Sequence, residues 1–284
     1  MEPKIEIPKR IEKKDIEALP IDIGGTEIIL ERHGIYERNR ESFNVGSLTE
    51  EGAAEVTKLG EDFFRNFFKN IPESERKEVD VLIIGSDTQY LQGGRRSMET
   101  ADLVMQCLKK TLVDLGLSED QVLNTSKRFS GEGGVRPEPL LREPQIFENS
   151  WNFVQFLKEK YGNMGKEFWI AFEEDIEKEK RIEMGAEGPD EIADRLKQVV
   201  SILSRYARMY HKNNPGRRLV IWAATHYDTI SPFVKRGIFG VGKEVPLGVD
   251  YGAGISIGID SAGNLTTRID GQEHTIQSPK QKEI

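Results

Sequence analysis

The chain has 284 residues, 37% of them hydrophobic and 31% charged, and a formal net charge of -8. That apolar content supports a packed core, whereas the acidic balance argues against nucleic acid as a partner, because such binding draws its affinity from clustered Lys and Arg on phosphates. No apolar run approaches the roughly 20 residues that span a bilayer, and the charged stretch from Met1 to Leu19 lacks the apolar region of a signal peptide, so the expectation is a cytoplasmic protein without a membrane partner.

The first 25 residues carry Pro3, Pro8 and Pro20 and are predicted to be an N-terminal arm ahead of a single domain over 26–284. Glu27 to Leu30 reads as a short strand that runs into Arg32-His33-Gly34, where Gly34 frees the backbone to turn. From Thr49 to Phe68 the residues Ala53, Val56, Leu59, Phe63 and Phe67 recur at helical spacing, with Thr49 as the cap. Val79 to Ile84 is a continuous apolar run of the kind buried on both faces of a parallel sheet, and it empties into Gly85-Ser86-Asp87. A helix over Arg96 to Leu115 follows, then a short strand candidate at Gln121 to Asn124 and a loop-like stretch from Ser126 to Pro144. The single Cys107, within that helix, leaves no internal disulfide and no thiolate partner for a metal, and reads as a buried structural thiol.

Trp151 to Tyr161 is predicted helical, Glu167 to Phe172 is a short apolar segment of open type, and Pro189 to Tyr210 is a long amphipathic helix with Pro189 at its first position. Between them, Glu173-Glu174-Asp175 beside Lys178-Glu179-Lys180-Arg181 reads as a solvated face. Arg218 to Ala224 is a second buried strand, ending at Thr225-His226, and Gly254 to Asp260 with Asn264 to Ile269 forms a closing hairpin. Strands alternating with helices predict a three-layer α/β/α sandwich around a mostly parallel sheet, in which ligands bind beyond the carboxyl ends of strands. His33 and His226 occupy two such ends, while His211 and His274 read as surface residues.

A phosphoryl group in transfer spreads charge over three oxygens and calls for rigid cationic forks, which Arg supplies. A histidine is a nucleophile toward phosphorus when one ring nitrogen is held protonated and the other is free to attack, and this requires no metal or cofactor. Arg32 beside His33 fits that chemistry.

In this order the motifs resemble those of the histidine phosphatase superfamily, the phosphoglycerate mutase-like enzymes. Arg32-His33-Gly34 with Asn39 resembles RHGxxxxN, Leu48-Thr49-Glu50-Glu51-Gly52 is similar to LTxxG, Arg96 to Ala101 resembles RxxxTA, and Thr225-His226 resembles the second catalytic histidine. The resemblance implies that His33 forms a phosphohistidine, that Arg32, Arg96 and His226 surround the phosphoryl group, and that Asn39 adds a substrate hydrogen bond. Arg95 competes with Arg96 for the inward position, and spacing to Thr100-Ala101 favours Arg96. For the general acid, Glu143 lies where the mutase-like branch places its glutamate; Asp228 is the alternative, displaced by Tyr227 from the position directly after His226, and Glu148 is a distant third. Residues 87–95 are an insertion expected to project over the pocket, and Ser150 to Gly188 resembles the family's cap insertion, where Lys158, Lys160 and Tyr161 read as helix surface.

The expected activity is metal-independent hydrolysis of a phosphomonoester, on a small phosphorylated substrate, with a phosphoprotein left open. A mutase is the alternative, disfavoured because Ile35-Tyr36 and Arg38 replace the Glu-Ser and Trp of phosphoglycerate mutases. A non-catalytic binding or scaffold protein is the second alternative.

Overall fold

A computed structural model describes residues 9–16, 19, 21–39, 45–89, 93–125, 133–240 and 247–276, with the side chain of Glu148 also outside the described set. The elements in chain order are β1 (Arg10–Ile11), β2 (Thr26–Arg32), α1 (Glu50–Lys69), β3 (Val79–Ser86), α2 (Arg96–Asp114), β4 (Arg136–Glu138), α3 (Ile146–Asn149), α4 (Trp151–Tyr161), α5 (Lys166–Glu173), α6 (Lys178–Glu183), α7 (Pro189–Asn213), β5 (Arg218–Thr225), α8 (Tyr227–Pro232), β6 (Gly248–Val249), β7 (Gly254–Ile259), β8 (Leu265–Ile269) and β9 (Gln272–Ile276). Seven strands form one sheet in the order β4-β3-β5-β2-β7-β8-β9. The first four are parallel and the last three antiparallel.

The central strands bury both faces, as their unbroken apolar runs require. Ile28 and Leu30 of β2 with Leu219, Ile221 and Ala223 of β5 pack under α7 and α8. Ile29, Val220, Trp222 and Ala224 pack under α1 and α2 on the opposite face. Helices α3 to α6 gather a third apolar cluster of their own around Phe153, Leu157, Phe168 and Phe172, which reaches α7 through Ile192. No helix among the described residues is long and apolar enough to cross a membrane.

Several expectations need correction. The described part of the N-terminal arm is tied into the core: Ile11 is buried, β1 pairs with β6, and Arg10 meets Asp250 at 3.2 Å. Gln121 to Asn124 is a helical turn followed by a single bridge from Val122 to Val81, and the open segment from Glu167 to Phe172 is helical. The loop-like stretch contains β4 at the sheet edge, while its residues 126–132 lie outside the described set. The charge run read as a solvated face holds Glu173 and Arg181 buried, Arg181 forking onto Asp175 at 2.7 and 3.0 Å. His211 is half-buried with Nε2 2.7 Å from Thr26 Oγ1, and His274 lies on β9 with its ring 4.7 Å from that of Phe239. Most of these partners lie far away in sequence, where local pattern carries no signal.

Candidate active site

Strands β2 and β5 pair in a register that sets Arg32 opposite Thr225. The next residue of each strand, His33 and His226, therefore leaves the sheet beside the other, and their buried rings lie 5.2 Å apart. The chain then turns at Gly34, whose N–H donates to Thr100 Oγ1 at 3.1 Å. The loop lies directly on the first turn of α1: a Cβ on Gly52 would stand 2.1 Å from the Ile35 carbonyl oxygen, so only glycine permits this approach. Thr49 caps that helix by accepting from the Gly52 N–H at 3.0 Å.

His33 Nδ1 is 2.8 Å from the Gly34 carbonyl oxygen. A carbonyl can only accept, so Nδ1 carries the proton and Nε2 presents its lone pair. That lone pair accepts from Arg96 Nε at 2.7 Å. Burial, and after it the positive Arg96, holds the His33 imidazole well below its usual value, so it is neutral near pH 7. His226 is lowered for the same two reasons, and its Nε2 lies 3.0 Å from Ser86 Oγ and 3.3 Å from Ser97 Oγ. Hydroxyls donate or accept, so these serines support either tautomer of His226.

Arg96 begins α2 and is buried, where Arg95 is the residue outside the helix; the structure places Arg96 inward. Its Nη2 donates to Glu143 Oε2 at 2.9 Å and lies 3.3 Å from His226 Nδ1. Glu143 is held in turn by its backbone N–H on Thr88 Oγ1 at 3.3 Å, and the preceding Arg142 forks onto Asp87 at 2.5 and 2.8 Å. That pair fastens the start of the 87–95 insertion to the Glu143 loop; residues 90–92 lie outside the described set.

Arg32 donates from Nη1 to the Val249 carbonyl at 2.5 Å, and its guanidinium lies 3.7 Å from the ring centroid of Tyr251 and 5.4 Å from that of Tyr227. Its Nε is buried without a hydrogen-bond partner among the described residues. Burial lowers its pKa to about 10, which leaves it charged at neutral pH. Asp228 is buried at the same end of the sheet, and burial first and Glu143 second raise its carboxyl pKa. Its Oδ1 likewise lacks a hydrogen-bond partner among the described residues.

His33, Arg32, Arg96, His226, Glu143 and Asp228 are thus brought together from four separate segments of the chain. Asn39 is exposed, its backbone N–H donating to Glu37 Oε1 at 2.6 Å, and the Tyr36 ring lies 5.2 Å from that of His33. Lys160 and Tyr161 bond Glu177, and Lys158 lies over Trp151, on the outer side of α4. Sequence reading missed Ser97, Tyr227 and Tyr251, since nothing local marks a residue whose role is set across the sheet. Among the described residues no group of three or more His, Cys, Asp or Glu is arranged to hold a metal ion.

No protein-family model matches the chain, and no curated protein matches it significantly. Solved structures do. A phosphoglycerate mutase from Bacillus anthracis strain Sterne aligns over 88% of this chain and 95% of its own, at 19% identity and a TM-score of 0.52. A protein described as mycobacterial hydrolase 2 aligns over 90% and 94%, at 16% identity and a TM-score of 0.50. The chain therefore shares the fold of that phosphoglycerate mutase structure, an α/β sandwich about a mostly parallel sheet.

Proposed function

We propose that the chain is a phosphomonoester phosphatase in which His33 carries the phosphoryl group, with no metal required. What supports this most is the His33 ring itself: Nδ1–H tied to Gly34 fixes the tautomer, and burial among arginines keeps the ring neutral. A neutral imidazole with a directed lone pair is a competent nucleophile.

An arriving phosphate dianion competes with His33 and Glu143 for Arg96. As Arg96 turns to the phosphate oxygens, it releases both the Nε2 lone pair and the Glu143 carboxylate. His33 Nε2 then attacks phosphorus and the ester P–O bond breaks. Freed from Arg96, the Glu143 carboxylate takes up a proton from solvent and, as the general acid in our assignment, gives it to the leaving oxygen. Arg32, Arg96 and His226 hold the equatorial oxygens, donors of the kind that contribute most of the barrier lowering in such sites. The same carboxylate then removes a proton from water, which attacks phosphorus, breaks the P–N bond and frees phosphate. Asp228 is the second candidate for the acid, favoured by its raised pKa and burial.

Hydrolysis over the mutase alternative follows from the Ile35-Tyr36 and Arg38 replacements. The test is turnover of p-nitrophenyl phosphate and a panel of natural phosphomonoesters with and without chelator. Chelator-resistant turnover that His33→Ala removes is expected. Turnover that survives His33→Ala, or none on any ester, rejects the proposal, and exchange of phosphate between two positions of one metabolite without release makes it a mutase.

A further inference from the structure

The Arg32 guanidinium donates from Nη1 to the Val249 carbonyl, its buried Nε has no partner among the described residues, and two tyrosine rings lie beside it. One ring, Tyr251, hangs from the turn between β6 and β7. The other, Tyr227, directly follows His226, and its hydroxyl donates to Glu173 Oε1 at 2.6 Å. Glu173 belongs to α5 in the inserted helices, not to the sheet.

Glu173 is itself held with unusual completeness. Oε2 accepts from Ser231 Oγ at 3.0 Å and from Lys235 Nζ at 3.3 Å, both buried, and Arg236 Nη2 donates to its backbone carbonyl at 2.8 Å. Lys235 and Arg236 come from a π-helical turn over Phe233–Ile238 that continues α8. Such turns are uncommon and cluster near functional sites. Trp169 of α5 closes the assembly edge-on against Tyr227 at 5.8 Å.

We propose that Glu173 is a positioning residue for phosphate recognition: through the Tyr227 hydroxyl, α5 holds one of the two rings beside the Arg32 guanidinium and so aims it. Tyr227 and Glu173 touch no reacting atom. Their contribution is to orientation: the Tyr227 hydroxyl on Glu173 fixes where the ring lies beside Arg32.

This rests on the phosphatase reading but is tested without turnover. Inorganic phosphate is titrated by calorimetry into the full-length protein, wild type, Tyr227→Phe and Ser231→Ala. Each variant removes one hydroxyl from the same Glu173 carboxylate, and only Tyr227 adjoins Arg32. Expected is phosphate affinity weakened about threefold by Tyr227→Phe, the scale of one hydrogen bond lost, and unchanged by Ser231→Ala, with similar small losses of thermal stability in both. On an active ester, Tyr227→Phe raises KM far more than it lowers kcat. Equal effects of the two variants, or no effect of Tyr227→Phe on phosphate affinity, overturn the proposal. If phosphate binds as expected but no ester is hydrolysed, the phosphatase reading fails alone; if wild type binds no phosphate, both fail.

Discussion

Two buried clusters of charge flank the turn at His226, and they are finished differently. Around Glu173 the carboxylate oxygens, the Lys235 ammonium and the neighbouring hydroxyls are matched by hydrogen bonds at 2.6 to 3.3 Å. Around His33 the Arg32 Nε and the Asp228 Oδ1 are buried without such partners among the described residues, and the Nε2 lone pair is held by Arg96, which in the proposed mechanism phosphate draws away. Folded proteins rarely leave buried polar atoms unmatched, because each costs about 1–3 kcal/mol. On the proposed function, the incompletely matched cluster is the one that receives the phosphate, and the matched one holds α5 against the π-helical turn.

The largest effect that separates them is on stability. Lys235→Ala should destabilise the protein by about 3–5 kcal/mol, since it strands a buried carboxylate, as read by urea denaturation. A loss under about 1 kcal/mol, the scale of an exposed pair, would mean the matched cluster is not what fastens the inserted helices. In the pocket, by contrast, Glu143→Gln should lower kcat about 100-fold with little change in stability. Asp228→Asn, which removes a raised and incompletely paired carboxyl, should leave stability equal or higher near pH 8. If Asp228→Asn instead costs the hundredfold and Glu143→Gln does not, the acid is Asp228.

A smaller test lies one layer behind, on β2. Glu27 and Glu31 alternate with Ile29 on the buried face, and burial pushes both carboxyls up to about 8. Glu31 Oε2 accepts from Trp222 Nε1 at 2.6 Å. A folded-state value raised above the unfolded one means the protein binds protons more tightly when folded, so stability is full below about 4.5 and declines as pH rises toward about 8. Glu31→Gln keeps the acceptor for Trp222 and should retain at least about 1 kcal/mol that wild type loses between pH 5 and 8, given about 1.4 kcal/mol per unit of raised pKa. Parallel pH profiles of melting temperature for the two proteins would contradict the burial of Glu31 as a protonated acid.

The contrast also explains what could be read from the sequence. His33 and His226 were legible because a short strand candidate, Glu27 to Leu30, and a buried-strand run, Arg218 to Ala224, each lead into a histidine, and ligands bind beyond the carboxyl ends of such strands. Arg96 was legible from its spacing to Thr100 and Ala101 on one helix. Glu173 was not: in a run of mixed charges it reads as solvent-facing, and its burial depends on Lys235, 62 residues away. Ile11 was hidden likewise, because a two-residue strand gains its meaning only from β6 at the far end of the chain. Local periodicity reports the sheet; it is silent on charge pairs closed across an insertion.

The most direct measurement is of the covalent step. After rapid mixing with a hydrolysed ester and an alkaline quench, peptide mapping should find acid-labile phosphate on the peptide carrying His33, absent from His33→Ala and accumulating when Glu143→Gln slows its release. Phosphate on His226, or steady turnover with no phosphate on either histidine, would contradict the account.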